Sequence, residues 1–233
     1  LQESIAKVLG DAPDIKGCSR TDTGVHAHQF CVSMKTEHPI PCQRLQAALN
    51  HFLPADMAVL SCREVPLSFH ARYSCRGKEY EYRIWNHPVR SPFLRDRALH
   101  YWYPLDLDKM NRAAAYFVGP HDFSSFCTTD TRERGDMTRT LTASSWRREG
   151  DLVLYTVAGD GFLYNMVRIL VGTMLRVAQG KMQPDDMPGI LQAKDRRAAG
   201  PTAPACGLYL NRAVYDPADL ALSSEQTLET GKE

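Results

Sequence analysis

The residues best suited to chemistry crowd into one short stretch, Gly17-Cys-Ser-Arg-Thr-Asp-Thr-Gly-Val-His-Ala27. Thr21, Asp22, Thr23 and Gly24 are turn formers, and Gln29 to Met34 resumes as a strand, so Asp22 sits on a turn beside a sheet. Such a carboxylate can simply close an Asx turn. It can also be an ionised group at the floor of a cleft, ready to act as nucleophile or base. Arg20 stands two residues before it. His26 and His28 share a face if the chain is extended there, but no nearby carboxylate completes a ligand set, so no metal is expected. His70 and Cys75 with Asp22 have nothing to orient them as a protease triad. No P-loop and no G-x-G-x-x-G occurs, so no nucleotide cofactor is expected either.

Two further positions draw attention. Tyr80 and Tyr82 alternate as core residues of a strand do, yet their surroundings, Arg76-Gly-Lys-Glu-Tyr80-Glu-Tyr, flank an aromatic ring with phosphate-seeking charge. Aromatic faces beside cations hold unstacked bases. Arg168 lies on an otherwise apolar helix; it either faces solvent or turns inward to meet a buried carboxylate.

The elements that must position these residues follow from periodicity. Leu45, Leu49 and Phe52 form one stripe of a helix over 43–52, with Pro41 before it and Pro54 after. Residues 79–85 read as a strand with Tyr80, Tyr82 and Ile84 on one face. Asp106 or Asp108 caps a helix carrying Met110, Ala113, Ala114 and Phe117, which stops at Gly119-Pro120. Trp146 sits in an arginine-rich strand that Glu149-Gly150-Asp151 turns back into a hairpin. A long helix starts after Asp160-Gly161 and ends at Gly180; Asn165, Arg168, Gly172 and Gln179 are its narrow polar stripe. This mixed order predicts an α+β fold on mostly antiparallel sheets, with a boundary near Pro66.

The 233 residues comprise 43% hydrophobic and 24% charged types, ordinary for a globular chain of one large or two small domains. The apolar run 169–175 is bounded by Arg168 and Arg176, far short of the roughly 20 residues of a membrane span. Seven scattered cysteines, an odd number without C-x-x-C pairs, read as reduced cytosolic thiols. Net charge is only +1, but 20 of the 28 basic residues are arginine. Residues 70–97 hold seven bases, among them Arg72 and Arg76, against three acids. Residues 132–148 hold five arginines, while five acids and one lysine lie from Asp216 on. Arginine suits bidentate phosphate recognition, so a nucleic acid is a candidate partner.

Ser19-Arg-Thr-Asp-Thr-Gly-Val-His-Ala27 resembles the G-R-T-D-A-G-V-H-A signature of the bacterial tRNA pseudouridine synthase A family. Three more blocks follow in that family's order: Phe69-His-Ala-Arg72 with Lys78-Glu-Tyr-Glu-Tyr-Arg-Ile-Trp-Asn86, then Phe162-Leu-Tyr-Asn-Met-Val-Arg168, then Ala203-Pro-Ala-Cys-Gly-Leu-Tyr-Leu210. The resemblance runs from about Leu1 to Tyr215. It implies Asp22 as the catalytic aspartate, Arg168 as its partner, Tyr80 on the target base and Leu208 in the pocket wall. Arg20 would help evert the nucleotide, and Arg72 and Arg76 would contact the RNA. The implied fold is α+β: two related halves, 1–68 and 69–215, their sheets joined around a basic central cleft, with an acidic tail over 216–233. The implied enzyme is a cytoplasmic homodimer that needs no metal or cofactor and modifies uridines 38, 39 and 40 of the tRNA anticodon arm.

That reaction breaks the C1′–N1 bond, turns the uracil and rejoins it through C5. It is redox-neutral, and it needs the base out of its stack at a cost of a few kcal/mol. It also needs an ionised carboxylate, and an arginine at contact favours that form in a dry site. The Tyr80 phenol is a candidate for handling the C5 proton. Thr23 stands where the family has Ala. Family members open with a strand and a Tyr-Asp-Gly-Thr-type loop, so a chain beginning at Leu1 is expected to lack that strand and to expose a sheet edge. The competing expectations are a non-catalytic RNA-binding module that retains the cleft, and a metal-dependent hydrolase built on His26 and His28.

Overall fold

In the computed structural model, residues 1–128 and 135–222 are described; Arg132 and Arg134 of the basic stretch lie outside them, as does the tail beyond 222. The helices are α1 (Gln2–Leu9), α2 (Cys42–Phe52), α3 (Leu107–Ala115), α4 (Met166–Ala178), α5 (Met187–Ala193) and α6 (Pro217–Leu220). The strands are β1 (Lys16–Gly17), β2 (His26–Ala27), β3 (Val32–Ser33), β4 (Cys75–Trp85) and β5 (Leu99–His100). They continue with β6 (Gly119–Asp122), β7 (Thr138–Glu149), β8 (Leu152–Gly159) and β9 (Leu208–Tyr215). The fold is α+β, with mixed and mostly antiparallel sheets.

Two compact units divide the chain. Among the described residues, one comprises Leu1–Arg20, Cys31–Arg76 and those from Val214 on; the other comprises Thr21–Phe30 and those from Gly77 to Ala213. In the first, β1 and β3 form a short antiparallel ribbon. Ile5 and Leu9 of α1 pack against Leu45 and Leu49 of α2. Two residues of the stripe legible in the sequence, Leu45 and Leu49, therefore lie in the core of this unit, while Phe52 at the end of α2 is exposed.

The second unit is built on a seven-stranded sheet, ordered β2-β9-β4-β8-β7-β6, with β5 alongside β4. Tyr82 and Ile84 are fully buried on one face of β4, which runs antiparallel to β8. Helix α3 packs against β7 and α4. Asp106 caps it by accepting from the Lys109 N–H at 3.0 Å. Trp146 is buried in this layer, stacked on Tyr155 with ring centroids 4.8 Å apart, and its Nε1–H points at Met174 Sδ of α4. Trp146 thereby packs the sheet against α4.

Four elements differ from expectation, the first being the strand expected over 29–34, of which only Val32–Ser33 is formed. Gly119-Pro120 does end the α3 region, but it opens β6, an edge strand where a proline's missing N–H is tolerated. Strand β4 begins at Cys75 and not at Glu79, and Lys78 already pairs with Gly159 at the end of β8. Helix α4 begins at Met166, not directly after Gly161. Asn165 before it adopts a left-handed conformation, φ 62°, which no regular helix can contain. Among the described residues no helix is long and apolar enough to cross a membrane. All seven cysteines are free thiols.

Candidate active site

The loop carrying Asp22 is shaped by Gly24, whose φ of +85° only glycine adopts without strain. The Val25 N–H donates to the Asp22 carbonyl at 3.1 Å and closes the turn. Immediately afterwards the chain is clamped. Strand β2 runs parallel to β9, placing His26 opposite Tyr209 and Ala27 opposite Leu210. The His26 ring stacks on Tyr209 at 4.6 Å, and its Nε2 lies 2.8 Å from the Asp96 carbonyl oxygen. The Tyr209 hydroxyl donates to the Arg97 carbonyl at 2.7 Å. His28 stacks on the same tyrosine, and the Arg83 guanidinium lies 3.9 Å from its ring centroid. The histidines suggested as metal ligands thus belong to a stacked cluster that fixes the loop. Among the described residues, no group of three His, Cys, Asp or Glu side chains could hold a metal ion.

Arg168, near the start of α4, turns inward. Its Nη1 donates to Asp22 Oδ2 at 2.6 Å and to Asn165 Oδ1 at 2.9 Å, and its Nε donates to the Ala203 carbonyl at 2.7 Å. These three bonds from two nitrogens of the fork hold the guanidinium plane in one orientation. The pair is partly enclosed: the Arg168 side chain is 17% exposed and that of Asp22 is 29% exposed. An ionised carboxylate with one oxygen held by arginine and a route to solvent can attack an electrophilic carbon or accept a proton.

Two features that sequence patterns missed support this arrangement. Asn165 Nδ2 donates to Thr128 Oγ1 at 3.0 Å while its Oδ1 receives Arg168, so its left-handed backbone serves both bonds. The sequence marked Asn165 only as a polar position on a helix; asparagine's tolerance of positive φ was the available signal. The second feature is the segment 199–204, a strap lying along α4. Gly172 allows that contact: a Cβ there would stand 1.7 Å from the Pro201 carbonyl oxygen. The Ala203 N–H donates to the Arg168 carbonyl at 3.0 Å, the Gly200 N–H to Thr173 Oγ1, and the Tyr82 hydroxyl to the Pro204 carbonyl. Burial pushes the Tyr82 phenol far above its ordinary pKa, so it remains a donor.

Tyr80 lies on β4 opposite Val157 of β8, 6% exposed, with the Phe162 ring edge-on at 5.0 Å. Leu208 opens β9, the neighbouring strand, and is 7% exposed. The remaining candidates fall in the other unit. Arg20 is exposed; Arg72 is half-buried, its backbone N–H on His70 Nδ1; Arg76 is exposed and meets Asp219 at 3.2 Å. The structure therefore joins Asp22 and Arg168 directly and sets Tyr80 and Leu208 on adjacent strands of the same unit.

A family model described as tRNA pseudouridine synthase matches residues 1–74 and 113–216 of this chain. These stretches contain Asp22, Arg168 and Leu208 but not Tyr80 or Arg76. The chain is 44% identical over 215 residues to tRNA pseudouridine synthase A of Acetivibrio thermocellus, spanning 92% of this chain and 88% of that one. It is 46% identical over 202 residues to tRNA pseudouridine synthase A of Bacillus pumilus, at 87% and 81% coverage. With tRNA pseudouridine synthase A 2 of Clostridium tetani it shares 41% identity over 220 residues, covering 93% of this chain and 88% of that one. An isomerase class is thereby defined, and the chain belongs to the tRNA pseudouridine synthase family.

Proposed function

We propose that this chain isomerises uridines 38, 39 and 40 in the anticodon arm of tRNA, with Asp22 as the group that attacks the flipped nucleotide or takes a proton from it. The observation that carries this is the Asp22–Arg168 contact, made at 2.6 Å across 146 positions of sequence. An RNA-binding surface gains nothing from a carboxylate facing an anionic ligand; an isomerase needs one that stays ionised. Arg168 sets a positive charge against the Asp22 carboxylate, and Asn165 and the Ala203 carbonyl keep Arg168 pointed at it. Tyr80 lies against the uracil and its phenol handles the C5 proton. Leu208 forms the apolar wall beside the base. Arg20 helps evert the nucleotide, while Arg72 and Arg76 contact the RNA. The active form is a homodimer working in the cytoplasm.

The test compares the chain with Asp22→Asn on unmodified tRNA, following pseudouridine formation and binding in parallel. Asparagine preserves the size and turn chemistry and removes the charge. Turnover confined to Asp22, with tRNA bound equally by both proteins, is the expected result. Equal turnover would end the catalytic assignment. Binding by both without turnover by either would leave a non-catalytic RNA-binding module.

A further inference from the structure

A cavity of about 270 Å³ opens at the C-terminal end of α4, lined by Arg176, Lys181, Arg196, Arg197, Gly200 and Pro201. Its charge is unbalanced. Among the described residues, Arg176 and Lys181 form no ion pair, and Arg197 alone meets a carboxylate, that of Asp195 at 2.8 Å. Arg196 is half-buried and fixed by neutral oxygens, donating to the Gly200 carbonyl at 2.8 Å and to Thr202 Oγ1 at 3.2 Å. A cation in the last turn of a helix is accounted for by the helix dipole, and that covers Arg176 alone. It does not explain why Lys181 and an immobilised Arg196 converge on the same hollow. A concave site with uncompensated positive charge concentrates anions.

We infer that this cavity binds a backbone phosphate of the RNA whose uridine is presented to Asp22. The inference rests on the RNA-substrate reading above. The strap that covers α4 links the two places: Ala203 at one end holds Arg168, and Gly200 and Pro201 at the other end form the cavity wall. Arg176 follows Arg168 by eight helical positions, about 12 Å along the axis and about 80° round it. One extended stretch of RNA backbone can therefore reach both. Arginine and lysine together suit a phosphodiester, the first by its planar fork and the second as a mobile point charge. The phosphate contacts position the strand and carry no base information.

The test uses the full chain carrying Arg176→Ala with Lys181→Ala, and binding of tRNA measured over a series of salt concentrations. Expected are about a tenfold rise in Kd and a salt slope less negative by roughly 0.7–0.9 for each phosphate no longer neutralised. In turnover assays the change falls on KM, not kcat. Lys109→Ala, an exposed lysine of α3 outside the cavity, controls for charge and leaves slope and affinity unchanged. If the double variant melts early, Arg176→Lys alone distinguishes charge from packing by retaining the wild-type slope. Wild-type affinity and slope in the double variant would overturn the proposal. So would a cavity serving a free anion: inorganic phosphate would then raise the melting temperature of the wild type alone, with tRNA binding identical in both. Because binding is read without turnover, a chain that binds tRNA but fails to isomerise it defeats the catalytic reading and leaves this one standing.

Discussion

At the residue scale the site depends on Asn165 more than its side chain's chemistry suggests. Its left-handed backbone and both ends of its amide are in use, so backbone and side-chain roles can be separated. Alanine at this position both strains the backbone, by about 1–2 kcal/mol, and removes the bonds to Arg168 and Thr128. Glycine removes the bonds alone. We expect Asn165→Ala to lower both melting temperature and kcat, and Asn165→Gly to lower kcat while nearly preserving the melting temperature. Asn165→Asp, which keeps an acceptor for Arg168, recovers activity relative to glycine. Equal kcat in all three would mean that Arg168 holds its orientation unaided.

At the element scale, the contact between α4 and the strap is the most demanding. Gly172→Ala drives a methyl group into the Pro201 carbonyl, so the strap must move off the helix or the helix must shift. A loss of about 3 kcal/mol in denaturant unfolding is expected, together with reduced turnover, since Ala203 moves with the strap. Glu81 of β4 makes a second demand. It is 6% exposed; burial alone would raise its pKa, but hydrogen bonds from Arg83 and Arg147, each 2.9 Å long, bring it below the ordinary value of 4.5. A folded pKa below the unfolded one means the stabilisation is complete above about pH 4.5. It is lost as pH falls through the lowered folded value. Glu81→Gln should therefore destabilise the protein by about 1–3 kcal/mol at neutral pH and flatten the stability profile on the acid side of that window. Urea unfolding across a pH series checks both. An unchanged acid limb would show that the two arginines are satisfied elsewhere.

At the scale of the whole molecule, partner and substrate dominate. A homodimer predicts a sedimenting species of twice the 26.2 kDa chain mass at assay concentrations. A species of one chain mass with full turnover would refute it. The near-neutral total charge conceals clusters of arginine, so tRNA affinity should fall steeply with salt even though the protein as a whole is almost uncharged. Sensitivity of KM to salt, without a matching fall in melting temperature, would locate that effect in binding and not in folding.

Much of this was legible in the sequence because it is local. Alternation of two along Tyr80, Tyr82 and Ile84 marks one buried face of a strand, although Glu81 on the opposite face is buried as well, and the spacing of Leu45 and Leu49 marks the buried face of a helix. A turn-forming Thr-Asp-Thr-Gly marks the loop of Asp22, and four ordered blocks place the chain in its family. Other features were decided only in three dimensions. Whether Arg168 faced solvent or a carboxylate depended on residues far away in sequence, Asp22 and Ala203, arriving at one end of α4. The late start of that helix followed from Asn165 giving up helical geometry to hold the arginine. His26 and His28 became part of a stack because β9 brought Tyr209 beside them. Periodicity reports the preferences of neighbours along the chain; a charge pair, a stacked ring or a glycine crossing is set by the element that packs against it.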